Sequence, residues 1–144
     1  MKIIFQIIAL ILSFFAAVFN FLFPPTAVSD IRQNLDMKIS PSSVVYFEDT
    51  HGGFHGDGEE IIIFTPTDSQ KEKIKAEWNK TPVESGISSL IFSKTEYNGL
   101  ELTKYIPNTK GYWFYKNRGD FTYSYNFSFA FFDGEKVYCY ELDT

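Results

Sequence analysis

The sequence predicts an α+β protein: an amino-terminal transmembrane or signal helix, followed by a small domain with a largely antiparallel sheet of about five strands and one main amphipathic helix. Three observations carry that prediction. Residues 3–23, IIFQIIALILSFFAAVFNFLF, hold no charged side chain. Beyond them, runs of β-branched and aromatic residues recur at strand length, bounded by glycine and proline. Only one later segment, rich in lysine and glutamate, has the narrow apolar stripe of a surface helix.

At a helical rise of 1.5 Å per residue, residues 3–23 reach about 30 Å, the thickness of the hydrocarbon layer. Lys2 precedes the run, and Pro24 and Pro25 stop any helix directly after it. This is the layout of an export signal or an uncleaved signal anchor. The run exceeds the roughly 7–15 apolar residues of a cleaved signal, and the one fair cleavage site, Ala27-Val28-Ser29, lies beyond the prolines. The expectation is a single-pass membrane anchor with the carboxyl domain outside the cytoplasm; the alternative is secretion after cleavage. Ser29 can cap a short helix to about Asp36, and Ser40-Pro41-Ser42-Ser43 reads as a turn. The chain thus divides into an anchor or signal segment (1–28), a short helix and linker (29–43) and an α+β domain (44–144).

Within that domain, Val44–Phe47 and Ile61–Phe64 are paired strands joined by a long glycine-rich connection. Ser69, three residues before Glu72, opens a helix from about Asp68 to Asn79, with Ile74 and Trp78 one turn apart on a single face. From Thr81 to Pro107 glycine, proline and short apolar runs conflict, and no element is assigned. Gly111–Tyr115 is an aromatic strand. Phe127, Phe129 and Phe131 then alternate with smaller residues, Asp133-Gly134 supplies a tight turn, and Val137–Tyr140 returns as the second arm of a hairpin. A single good helix excludes a doubly wound parallel sheet, which needs repeated crossovers.

Composition narrows the function. Thirteen basic and eighteen acidic residues give a net charge of −5, against the basic footprint of a nucleic-acid binder. The lone Cys139 excludes an internal disulfide and a cysteine-based zinc cluster, and in a hairpin strand it reads as a small apolar filler. No phosphate-loop lysine or nucleophile elbow is present. Tyr112 to Tyr115, with Tyr123, Tyr125, Tyr138 and Tyr140, either cover the core or stack on sugars; a core this small favours the first.

One loop stands apart. Asp49-Thr50-His51-Gly52-Gly53-Phe54-His55-Gly56-Asp57-Gly58 holds both histidines of the chain, and Glu59-Glu60 follows at once. Imidazole and carboxylate suit zinc and other divalent ions, and glycines let a short backbone bring such groups together. Asp49, His51, Gly53, His55 and Asp57 form the candidate ligand-binding loop, and His51, His55 and Asp57 the candidate ligands of a possible divalent metal. The competing reading is a structural loop whose aspartates satisfy turn amides.

The string DTHGGFHGDG resembles one found in a family of small bacterial proteins of uncharacterised activity, which carry an amino-terminal hydrophobic segment and end in an aromatic strand pair with a tail like Tyr140-Glu141-Leu142-Asp143-Thr144. The likeness runs from about Val45 to the carboxyl end. It implies a shared fold and assigns no role to any residue.

The expected function is therefore a membrane-tethered, extracytoplasmic binding or interaction module for a protein or small ligand, contacting it through residues 49–58. The alternative is a metal-dependent, hydrolytic enzyme using His51, His55 and Asp57, with Glu59 or Glu60 as general base.

Overall fold

A computed structural model of the chain describes residues 5, 6, 9, 12, 13, 26–51, 58–95, 110–119 and 126–143. The chain forms two compact units, Met1–Pro41 and Ser42–Thr144.

In the first unit, Phe5, Gln6, Ala9, Leu12 and Ser13 are helical, and the Ser13 hydroxyl donates to the Ala9 carbonyl at 2.8 Å. No helix among the described residues is long and apolar enough to cross a membrane; most of residues 3–23, on which the anchor expectation falls, lie outside the described residues. Helix α1 spans Thr26–Leu35. It begins three residues before the expected cap at Ser29 and runs through the expected boundary at residue 28. Ala27, Ile31 and Leu35, four apart on one face, are buried, and Asp36 ends the helix in the left-handed region (φ 50°).

The second unit is an α+β fold on one antiparallel sheet of six strands, ordered β1-β2-β6-β5-β4-β3. Its strands are β1 (Val44–Asp49), β2 (Gly58–Phe64), β3 (Asn79–Lys80), β4 (Tyr112–Asn117), β5 (Phe127–Phe132) and β6 (Val137–Asp143). The expected count of five omits β3, a two-residue strand that pairs with Trp113 and Tyr112. Helix α2 spans Asp68–Glu77, and α3 spans Ser85–Thr95, within the stretch the sequence leaves unassigned. The expectation of one main helix in this domain is thus corrected to two α-helices among its described residues.

Registers fix what each face carries, because directly opposed residues in neighbouring strands project to the same side. On one face Ile61, Tyr138, Tyr140, Leu142, Phe127, Phe129, Phe131 and Trp113 form the core, and Ile87, Leu90 and Ile91 of α3 pack on it. The other face carries Ile62, Phe64, Cys139, Val137, Ala130 and Phe132, and there Trp78 at the end of α2 meets Phe114 with ring centroids 5.7 Å apart. Helix α2 is capped by Thr67, whose side chain accepts from the Gln70 amide while the Gln70 side chain accepts from the Thr67 amide. The expected Ser69–Glu72 cap lies two residues too late.

Trp113 is buried and donates its indole N–H to the Lys80 carbonyl at 3.1 Å; Tyr138 and Tyr140 are buried too. These rings cover the core. Tyr123 and Tyr125 lie outside the described residues. Cys139 is buried, and burial pushes its thiol well above the ordinary range, as expected of a filler.

Candidate functional site

The ends of β1 and β2 hold the mouth of the predicted loop. Thr50 and Glu59 close it reciprocally: the Thr50 amide (2.9 Å) and hydroxyl (3.0 Å) both donate to the Glu59 carbonyl, and the Glu59 amide donates to the Thr50 hydroxyl oxygen (2.9 Å). Gly58 belongs to β2, where a Cβ would stand 2.5 Å from the His51 Cα and 2.6 Å from its amide nitrogen. Only glycine lets the two backbones approach this closely.

His51 is the hub of this end. Its Nδ1 lies 2.7 Å from Asp49 Oδ1 and its Nε2 3.1 Å from Asp143 Oδ2, while its amide donates to Asp49 Oδ1 at 2.8 Å. A ring flanked by carboxylates at both nitrogens donates to both only as the imidazolium; a neutral ring donates from one nitrogen alone. Burial pushes the Asp49 carboxyl up, but the His51 amide and ring bonds together outweigh it and hold Asp49 below its ordinary value.

Asp143 hands the contact on. Its Oδ1 accepts from the Arg118 guanidinium at 3.1 Å, and the same nitrogen reaches Glu141 Oε1 at 2.6 Å. Asp49, His51, Asp143, Arg118 and Glu141 therefore form one continuous chain of polar side-chain contacts across the end of the sheet. The strand registers place Lys116, Ser128, Glu141, Glu60 and Asp49 in a single transverse row on that face, with Glu60 and Ser128 buried. On the opposite face Glu59 sits beside Tyr140; burial raises the Glu59 carboxyl, and burial together with the Glu59 charge raises the Tyr140 phenol. Glu59 and Glu60 thus project to opposite faces, as alternation requires.

Of the candidate loop residues, Asp49 and His51 are brought into direct contact; Gly53, His55 and Asp57 lie outside the described residues. Sequence reasoning missed Arg118, Glu141 and Asp143. One signal was available: Glu141 and Asp143 are two apart in a strand, hence on one face. Of the predicted metal set, His51 alone is among the described residues. Both His51 nitrogens are engaged by carboxylates, so an ion at this ring must displace one of those bonds, and no group of three or more metal-ligating side chains is arranged around a common point among the described residues.

Strand β1 borders the site and is the outer strand of the sheet, with Val45, Tyr46 and Phe47 exposed by 56%, 45% and 39%. Val45 is an extra residue where the register shifts between Val44 and Tyr46. The Thr50 amide points to β2, so by alternation the N–H and C=O groups of Phe47 and Asp49 point away from it. Tyr46 donates its hydroxyl to Glu48. Compared with known protein families, curated proteins and solved structures, the chain has no match.

Proposed function

We propose that the protein is a membrane-tethered binding module that takes an extended segment of a partner protein along β1, with the loop 49–58 completing the contact. The observation that carries this reading is the combination in β1 of three exposed large apolar residues with an outward row of backbone donors and acceptors. An edge of this kind is a template for strand addition; of the devices that blunt such edges β1 has a bulge at Val45 but no lysine or proline. Glu48 and Asp49 at its end favour a partner strand with a basic residue opposite them. The clamped Thr50–Glu59 mouth and the His51 hub keep the strand end in place, so less order has to be created on binding.

The tether rests on the uncharged run 3–23, where Phe5 and Leu12 are exposed and Ser13 satisfies its hydroxyl within the helix, as lipid requires. The extracytoplasmic placement belongs to the same proposal. The hydrolytic alternative has less support, because His51 presents both nitrogens to carboxylates. Equilibrium dialysis of the full chain against zinc, with His51→Ala/His55→Ala alongside, tests it: histidine-dependent uptake of one ion per chain would favour the enzyme. Affinity capture from detergent-solubilised membranes tests the main reading. A species held by the native chain and lost from both Phe47→Lys and Gly53→Val supports it; capture unchanged by either substitution contradicts it.

A further inference from the structure

The opposite end of the sheet holds a second feature. A cavity of about 440 Å³ opens between α2, the β3–β4 pair and the β5–β6 turn, on the face that carries Phe114 and Phe132. Its size is in the range of small-molecule sites. Three lysines from different elements converge on it: Lys75 from α2, Lys80 from β3 and Lys110 just before β4. In a chain with net charge −5 this is a local reversal of sign.

The three cations are not equivalent. Lys75 is paired with Glu72 at 2.8 Å. Lys80 and Lys110 make no ion pair with any described residue, and Lys80 stands 6.0 Å from the centre of the Tyr112 ring. The one carboxylate among the described lining residues, Asp133, turns its oxygens to the Glu135 and Lys136 amides, both at 2.8 Å, and to the Tyr138 hydroxyl at 3.1 Å. All three of these bonds lie within the hairpin. Thr81 accepts from the Gly111 amide at 3.3 Å, a bond that leaves the hydroxyl proton able to serve another acceptor. Tyr112 and Phe132, ring centroids 6.5 Å apart, supply an apolar wall. The site thus offers two ammonium groups without an ion pair among the described residues and a hydroxyl donor beside aromatic surface.

We propose that this cavity binds a phosphomonoester, with the phosphate between Lys80 and Lys110 and the organic part against Tyr112 and Phe132. A phosphomonoester carries up to two charges at neutral pH and three acceptor oxygens, enough to engage both lysines and Thr81 at once; a carboxylate carries one. The site is separate from the β1 contact surface, since β1 and the β3–β4 pair lie at opposite edges of the sheet.

Calorimetric titration of the full chain in non-ionic detergent with phenyl phosphate tests the proposal. The expected result is saturable one-to-one binding, weaker for benzoate and absent for phenol. Lys80→Gln/Lys110→Gln, at two exposed positions, should weaken it by about tenfold or more, the effect of losing charge-assisted hydrogen bonds. Lys73→Gln, on α2 but not lining the cavity, should leave it unchanged, and circular dichroism should show the double variant folded as the native chain is. Phosphatidate added to the micelles separates the sources: displacement of phenyl phosphate identifies a lipid headgroup, and no displacement a soluble phosphomonoester. No saturable binding, equal binding by the double variant, or preference for benzoate overturns the proposal.

Discussion

Replacing Arg118 by glutamine removes the only cation that contacts both Glu141 and Asp143 among the described residues. The Arg118, Glu141 and Asp143 side chains retain 20%, 15% and 25% of their exposure, so solvent screens the network only in part. Fully buried pairs broken from one side lose about 3–5 kcal/mol because a charge is left without compensation. Discounting for residual exposure, Arg118→Gln should cost about 2–3 kcal/mol, of which the loss of the cation facing Glu141, whose neighbour across the strands is buried Glu60, is the larger part. Glu141→Gln introduced into that background should recover about 1–2 kcal/mol, the coupling expected of groups in direct contact. The assay is urea unfolding of the full chain in non-ionic detergent, followed by tryptophan fluorescence, for the native chain, both single variants and the double. A loss below about 0.5 kcal/mol for Arg118→Gln, the ordinary range of a surface substitution, would refute the reasoning. So would strict additivity of the two changes.

Three further outcomes are expected. Asp49→Asn should destabilise the protein at neutral pH: a carboxyl held below its ordinary value contributes stability above its unfolded-state value and loses it as pH falls through the folded one. The gap in urea midpoint from the native chain should therefore close as the pH is lowered into the acid range, and a pH-independent gap would contradict this. Glu59→Gln has the opposite sign, because burial raises that carboxyl and its ionised form costs stability at neutral pH; the variant should melt higher at pH 7 than the native chain and lose that advantage under acid. Trp113→Ala should cost about 3–5 kcal/mol by unfolding, the loss typical of a buried ring; a variant of native stability that loses binding to wall sugar would restore the sugar-stacking reading.

The sheet was legible where its chemistry is local. Alternation of Phe127, Phe129 and Phe131, the Asp133-Gly134 turn with Gly134 at φ 104°, and the paired runs ending in Phe47 and Phe64 follow from residue type and period. Helix α3 was not legible, because SGISSLIFSKT is serine-rich with a glycine in its first turn, poor helix-forming material. It forms because Ile87, Leu90 and Ile91 find an aromatic face assembled from strands as late in the chain as the one that carries Tyr140, and packing of that kind overrides propensity. The α2 cap illustrates a closer contest. Thr67-x-x-Gln70 and Ser69-x-x-Glu72 both fit the pattern, and the extended backbone at Thr67 (φ −68°, ψ 164°), directly after Pro66, decides between them. At the site, Asp49 and His51 were marked by their neighbours in sequence, whereas Arg118, Glu141 and Asp143 become neighbours only when β4 and β6 are brought to the same end of the sheet.

The most direct test replaces Phe47 by the photo-crosslinker p-benzoylphenylalanine in the full chain expressed in its native cells, with the same replacement at Lys73 of α2 for comparison. Strand addition at β1 predicts an adduct from position 47 but not from position 73, mapping to one extended peptide of one partner protein with a basic residue beside the attachment point. No adduct at position 47, or the same unspecific adducts from both positions, would contradict it.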